Sequence, residues 1–392
     1  MKQYEALVLK SGRDRSIINR HPWIFSGGVK ELPKSKSGDI IRVLDNHGAL
    51  LGYGFYDSQS QITCRIFEFT HDECSFDGIY WEQKLKKIHA WKTALFDLKL
   101  TDAYRLVHAE GDNFPGMIVD IYDQVAVVQI LIKGTEGIKN EIGRILLSLG
   151  YKNVFFKVKQ TTGKFEAVAE QSHWYEDPLQ MPVKINENGI KMLVDVEKGQ
   201  KTGFFLDQRE NRRLVGELSK GKKVLNTFSY TGGFSLYALH GGAELVHSVD
   251  SSASAIEMCD ANVKLNFKKA KHASFTEDVF DFLKKMEEDY DIIILDPPAF
   301  AKNARSVENA AKGYKNLNLQ AMRKIKDGGL IFTFSCSQHI DKDLFRKIVF
   351  GAAADAARPV AVLKQLTQPE DHPINIFHPE SEYLKGLLLR IG

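Results

Sequence analysis

The chain has 392 residues, too many for one compact core, since single cores stop growing near ~250 residues; two or three domains suit it. Hydrophobic residues at 43% and charged residues at 26%, with 30 Gly and 11 Pro, exclude disordered, collagen-like and low-complexity classes. Fifty-three bases against 50 acids leave a net charge of +3, which neither demands nor excludes a polyanionic partner.

From Tyr4 to about Thr70, short β-like runs (residues 6–9, 39–44 and 62–67) alternate with Gly-bearing turns, the pattern of a small β-barrel. Residues 10–36 carry seven bases against two acids, beside Trp23 and Phe25. Cations for phosphates and flat faces for bases make this segment a candidate RNA platform. A helix over 79–98 follows, with Leu85, Ile88, Trp91 and Leu95 spaced for one buried face. Strands at 104–107, 116–122 and 125–132, a helix at 135–149 and a strand at 153–159 complete a mixed α+β unit near Pro178.

After about Met181 strands alternate with helices, the signature of βαβ units and a mostly parallel sheet. Strands are expected at 224–228, 245–249, 291–295 and 329–335, and helices at 234–240, 253–267 and 280–286. The expected domains are 1–72, 73–180 and 181–392. Four cysteines (Cys64, Cys74, Cys259, Cys336) form no C-x-x-C pair, so a disulfide framework and a cysteine-rich zinc site are not expected, and a reducing cytoplasm suits them. The longest apolar run, 125–132, is interrupted by Gln129 and far shorter than a membrane span; no export signal, anchor or membrane partner is expected.

The run Phe228-Ser229-Tyr230-Thr231-Gly232-Gly233-Phe234 joins a buried strand to a helix, a place where backbone can approach a nucleotide-like ligand. Asp250, 17 residues after Gly233, ends the next strand and suits the two hydroxyls of a ribose. Asp278, at the third strand tip, can hold an adenine amino group. Taken singly, each acid reads more readily as a helix cap. Asp296-Pro297-Pro298-Ala299-Phe300 is more specific: two prolines after a buried strand stiffen its exit and hold Asp296 and the Pro297 carbonyl at the same edge. Such a strand end is typical of methyltransferases acting on a nucleobase.

Cys336 ends the next strand. Alone, such a cysteine is ordinarily an inert core residue. Beside Asp296 it suits the methylation of C5 of a pyrimidine, a poorly nucleophilic carbon that becomes an enamine once a thiolate adds at C6. Asp296 would hydrogen-bond the N3 and N4 edge and offset the charge developing on the ring. The other three cysteines have no such setting. Residues 302–326 hold seven bases (among them Lys302, Arg305, Lys312 and Lys315) against Glu308 alone, interleaved with Tyr314, and could grip phosphates beside a flipped-out base.

Residues 199–209 (Gly-Gln-Lys-Thr-Gly-Phe-Phe-Leu-Asp-Gln-Arg), 226–234, Asp296 to Phe300, Ser335-Cys336-Ser337, residues 111–116 and Tyr383-Leu384-Lys385-Gly386-Leu387 together resemble the RlmI-like ribosomal RNA large-subunit cytosine-5 methyltransferases, over nearly the whole chain. The resemblance implies an α/β architecture: an N-terminal PUA β-barrel, a small α+β middle domain and a Rossmann-like class I domain binding S-adenosylmethionine, with no metal. It implies that Thr202, Gly203, Phe204, Asp207 and Arg209 lie over the cofactor. Phe228, Ser229, Thr231 and Gly232 would form its main loop, Asp250 and Ser251 would take the ribose, Asp278 and Val279 the adenine, and Asp296 and Pro297 would lie beside the reacting end. Cys336 would be the nucleophile, and Pro298, Phe300, Lys302 and Arg305 would meet the substrate.

The expected substrate is 23S ribosomal RNA, and a homodimer through a sheet edge stays open. Two departures stand out: Asn226 occupies a position that is acidic in many methyltransferases, and the Asp-Pro-Pro motif holds no second cysteine. A nitrogen methyltransferase acting on guanine or adenine needs the Asp-Pro-Pro edge but no thiol, and a ribosome-assembly factor without activity needs neither; both stay as alternatives.

Overall fold

The computed structural model describes residues 3–158, 171–301 and 303–392. The chain divides into two compact units: the first is Met1–Ile185, Val194–Leu206 and Glu370–Ser381, and the second is Asn186–Leu193, Asp207–Pro369 and Glu382–Gly392.

The first unit opens with β1 (Ala6–Leu9), the one-turn α1 (Arg15–Ile18), β2 (Trp23–Phe25), β3 (Val29–Glu31), β4 (Ile40–Leu44), β5 (Leu50–Tyr56) and β6 (Ile62–Glu68). These strands form one sheet in the order β2-β6-β5-β4-β1-β3. Burial alternates along β1 and β4 as a half-buried strand demands, and Leu7, Leu9, Ile41, Val43 and Ile66 fill the space beneath. Trp23 is partly buried, its indole donating to Glu110, whereas Phe25 stays half exposed.

Helix α2 (Gly78–Thr93) starts at Asp77, whose carboxylate accepts from the Ile79 and Tyr80 amides. It stops five residues short of the expected end. Its buried face is Trp81, Leu85, Ile88 and Lys92, while Trp91 and Leu95 are exposed. The stripe turns because Lys92 is wholly buried, its ammonium 2.9 Å from Asp112. Strands β7 (Ala103–His108), β8 (Met117–Tyr122) and β9 (Val125–Ile130), helices α3 (Lys133–Glu136) and α4 (Lys139–Ser148), and strands β10 (Asn153–Val158) and β11 (His173–Trp174) complete a second sheet, ordered β11-β10-β9-β8-β7. The expected helix at 135–149 is thus two, separated around Gly137. One apolar cluster runs from Tyr53, Phe55 and Phe67 of the first sheet through Trp81 and Leu85 to Leu106 and Val119 of the second. Lys159, the last residue of one expected strand, lies outside the described residues.

β12 (Val183–Glu187) and β13 (Ile190–Val194) form a two-stranded ladder. In the second unit, α5 (Arg209–Leu218) precedes β14 (Lys223–Thr227), α6 (Gly233–His240), β15 (Leu245–Asp250), α7 (Ala253–Asn266), β16 (His272–Thr276), α8 (Val279–Lys285), β17 (Ile292–Leu295), α9 (Val307–Lys324), β18 (Leu330–Ser335), α10 (Lys342–Ala356), β19 (Val360–Leu366) and β20 (Lys385–Ile391). The seven strands run β16-β15-β14-β17-β18-β20-β19. Those from β14 to β18 are parallel, and β20 inserts antiparallel between β18 and β19. Ile292, Ile293, Ile294 and Leu295 are fully buried, as a strand covered on both faces requires. Strand order reverses between β14 and β17, the point where open α/β sheets bind ligands beyond their carboxyl ends.

Candidate active site

Register fixes what meets at that edge. Thr227 of β14 lies opposite Val249 of β15 and Leu295 of β17, and Leu295 lies opposite Thr333 of β18. Phe228, Asp250, Asp296 and the end of β18 at Ser335-Cys336 therefore project from the same edge of one parallel sheet. Asp278 follows two residues after Thr276, the partner of Asp250.

The loop after β14 is built from left-handed backbone: φ is 53° at Phe228, 47° at Tyr230 and 85° at Gly232. Only glycine takes such angles freely, and a Cβ on Gly232 would stand 2.5 Å from the Cys259 sulfur. The reward is a set of pinned amides. Tyr230 N–H and Ser252 N–H both donate to Asp250, each at 2.9 Å, and Asn262 Nδ2 donates to the Thr231 carbonyl. Asn226 Nδ2 donates to Ser235 Oγ, which bonds Ser248 Oγ in turn. Asn226 is thus buried and held through its Nδ2, while its Oδ1 has no hydrogen-bond partner among the described residues. Ser229 Oγ and Thr231 Oγ1 are buried and have no hydrogen-bond partner among the described residues. Buried hydroxyls are rarely left so, and a polar ligand across this loop would satisfy them.

Asp278 is exposed and caps α8, accepting from the amides of Phe280 and Asp281. Asp296 is partly buried and Pro297 buried, while Pro298 is exposed. Phe300 lies 4.6 Å from the Tyr314 ring, centroid to centroid. Tyr314 is fully buried, so the basic stretch is mostly a helix, α9, whose inner face holds Tyr314, Leu317, Ala321 and Met322. Several of its bases are spent internally: Lys315 on Asp355, Lys324 on the Met286 carbonyl, and Lys326 beyond the helix on Asp291. Arg305 is exposed, Lys312 pairs only with the exposed Glu308, and Lys302 lies outside the described residues.

The 202–209 string divides. Thr202, Gly203 and Phe204 belong to the first unit, where Thr202 Oγ1 donates to Asp120 at 2.5 Å and the Phe204 amide donates to the Tyr122 hydroxyl. Asp207 and Arg209 belong to the second and are buried there, Asp207 accepting from the Tyr383 hydroxyl at 2.7 Å.

Cys336 is partly exposed, in contrast to Cys64 and Cys259. Burial pushes the Cys259 thiol up to about 12 and the Cys64 thiol higher still, so neither ionises at neutral pH. Cys259, Asp260 and His272 bring ligand atoms within 4.8 Å of one another. Their polar atoms are already engaged, His272 Nε2 with Ser248 and Asp260 with Ser274. Around Cys336 gather three residues, Tyr314, Ser337 and Lys385, to which the sequence alone gives no role in the site. Tyr314 OH bonds Ser337 Oγ at 3.0 Å, and the buried Lys385 ammonium donates to the Ser337 carbonyl at 2.7 Å. Burial lowers the Lys385 ammonium to about 8 against the attraction of Cys336. Only the closing Tyr383 to Leu387 motif hinted at Lys385.

The family model for S-adenosylmethionine-dependent methyltransferases matches residues 163–390. Fold and strand-edge loop together define a class I S-adenosylmethionine-dependent methyltransferase, and the orphaned hydroxyls beside the pinned Asp250 fit that cofactor. A PUA-like domain model matches residues 7–69. The ribosomal RNA large subunit methyltransferase I of Alteromonas mediterranea is 40% identical over 395 residues, covering 98% of each chain, and that of Shewanella frigidimarina is 40% identical over 98% of this chain and 99% of its own. The solved structure of a candidate methyltransferase complexed with SAH superposes with a TM-score of 0.86 at 26% identity, covering 98% of this chain and 99% of that one. The chain belongs to the ribosomal RNA large subunit methyltransferase I family. Among the described residues, no helix is long and apolar enough to cross a membrane.

Proposed function

We propose that this protein methylates C5 of a cytosine in 23S ribosomal RNA, using Cys336 as nucleophile. The observation that carries the reading is the alignment of Phe228, Asp250, Asp296 and Cys336 on one sheet edge, in a chain whose relatives are named as ribosomal RNA large subunit methyltransferases. S-adenosylmethionine supplies an electrophilic methyl group on a sulfonium. The Cys336 thiolate adds to C6, C5 takes the methyl group, the C5 proton is lost, and the thiolate is expelled as the 5,6 double bond reforms. Asp296 bonds the N3 and N4 edge as charge develops there.

Asp250 and Ser251 hold the ribose, Asp278 and Val279 the adenine, and Phe228, Ser229, Thr231, Gly232 and Pro297 line the cofactor. Thr202, Gly203, Phe204, Asp207 and Arg209 cover it. Pro298, Phe300, Lys302 and Arg305 meet the RNA, with residues 1–72 as a second grip, 73–180 as the middle domain and 181–392 as the catalytic one. The protein works in the cytoplasm. The outer edge of β19, with Val362 and Leu363 exposed, is where a homodimer would form. Sedimentation of a Val362→Lys variant tests that edge, with a shift from dimer to monomer expected.

Nucleoside analysis of ribosomal RNA from a deletion strain, with and without the wild-type protein, tests the reaction. Loss and restoration of one 5-methylcytosine is the expected result. A lost methylguanosine or methyladenosine would assign nitrogen chemistry, and an unchanged nucleoside set would leave an assembly factor. Cys336→Ala should abolish methylation while SAH binding by calorimetry is kept. Full activity in that variant would end the thiolate mechanism.

A further inference from the structure

We propose that Lys385 is a positioning residue for the reaction: its buried ammonium fixes the backbone beside Cys336 and supplies the positive charge that keeps the Cys336 sulfur in its thiolate form. The inference rests on reading Cys336 as the nucleophile and adds what activates it.

Lys385 is the first residue of β20 and pairs in register with Ser335, the last of β18. Antiparallel insertion of β20 thus delivers this side chain to the end of the strand that carries the thiol. Its Nζ donates to the Ser337 carbonyl at 2.7 Å and the Tyr383 carbonyl at 2.6 Å, and the residue is only 4% exposed. Two carbonyls satisfy hydrogen bonds but do not neutralise a charge. A buried ammonium needs an anion.

Among the groups attracting this ammonium, Cys336 is foremost, ahead of Glu382 just before β20 and Asp341 at the start of α10. Glu382 is itself bridged to Lys342, whose like charge repels the Lys385 ammonium. From α9 the Tyr314 hydroxyl reaches Ser337 Oγ and also feels the Cys336 charge. The counter-charge is therefore buried while the sulfur it serves is partly exposed. This is the setting of a reactive cysteine: a thiol near a cation, open to an incoming base. The charges acting on Cys259 include Asp260 and Asp250, which push its thiol the other way.

The sign of the effect is fixed. Below a pH of about 8 Lys385 carries its proton and stabilises the thiolate, so the thiol ionises at lower pH than it otherwise would. The thiol proton is released to solvent before the base arrives. Raising pH through 8 discharges Lys385 and removes this help.

The test is the pH profile of Cys336 alkylation by iodoacetamide, followed by mass spectrometry of the peptide, with Cys74 as internal control. In Lys385→Met the profile should move to higher pH and alkylation at pH 7 should slow about 10-fold, the effect of one unit in thiol ionisation. Lys385→Arg should restore most of the rate, and Cys74 should be unaffected in both. An unchanged Cys336 profile in Lys385→Met that still binds SAH would overturn the proposal.

If Lys385→Met does not fold, the reciprocal measurement decides. With lysine labelled at 13Cε, the Lys385 titration midpoint followed by NMR should fall in Cys336→Ala, and an unmoved midpoint would refute the coupling. Neither readout uses methyl transfer. Retained methylation in Cys336→Ala therefore removes the nucleophile reading, while uncoupled titrations with an essential Cys336 remove only the role of Lys385.

Discussion

On the proposed reading, cofactor recognition at the residue level depends on a few atoms that are fixed in advance. Asp250 spends an oxygen each on the amides of Tyr230 and Ser252, so its carboxylate is aimed before any ligand arrives. Gly232 permits the turn that makes this possible, and Cys259 beneath it leaves no room for a methyl group. Gly232→Ala should therefore cost about 1–3 kcal/mol of stability through overpacking and weaken SAH binding together with it. Thermal unfolding and calorimetry check the two effects, and a variant of normal melting temperature and affinity would show that the loop adapts. Asn226 points to the same economy. Its Nδ2 is spent on the chain of Ser235, Ser248 and His272, which ties the end of β14 to the elements behind it.

Elements, in turn, are held by charges hidden inside them. Lys92 of α2 and Asp112 at the end of a 3-10 turn are both buried, 2.9 Å apart, and Lys92 also donates to the Asp371 carbonyl. Removing one partner of such a pair leaves an uncompensated charge, so Asp112→Ala should cost about 3–5 kcal/mol. The double variant Lys92→Met, Asp112→Leu should recover much of that loss. Urea unfolding of the two variants decides, and equal losses in both would argue against a charge effect.

The sequence is most legible where an element is local and apolar. β14, β15, β17 and β18 are largely buried apolar runs, and they fall within a residue or two of expectation. β19 and β20 escape notice. Five of the seven residues in β19 are exposed, and the position of β20 is decided by a pairing between residues about fifty apart, which no local pattern encodes. α9 is hidden by its charge, although Ala310, Tyr314, Leu317 and Ala321 already keep helical spacing. The candidate site divides along the same line: the strand-tip positions of Asp250, Asp296 and Cys336 are readable, and the placement of Lys385 opposite Ser335, set by a non-local pairing, is not.

For the whole molecule, a net charge of +3 says little about RNA because many bases are committed to internal partners. Exposed pairs such as Lys312 with Glu308 contribute little to stability, and their cations remain available to phosphates. Neutralising Lys302, Arg305 and Lys312 together should lower RNA affinity and reduce the slope of log affinity against log salt by about 2 to 3, since each lost phosphate contact removes roughly 0.7 to 0.9 of a unit. Filter binding across a salt series measures it, and an unchanged slope would place the grip elsewhere. The insertion of β20 between β18 and β19 also orders events in time. In a chain growing from its amino end β20 is made after both strands it separates, so on the proposed reading Lys385 reaches the end of β18 only when that last pairing forms.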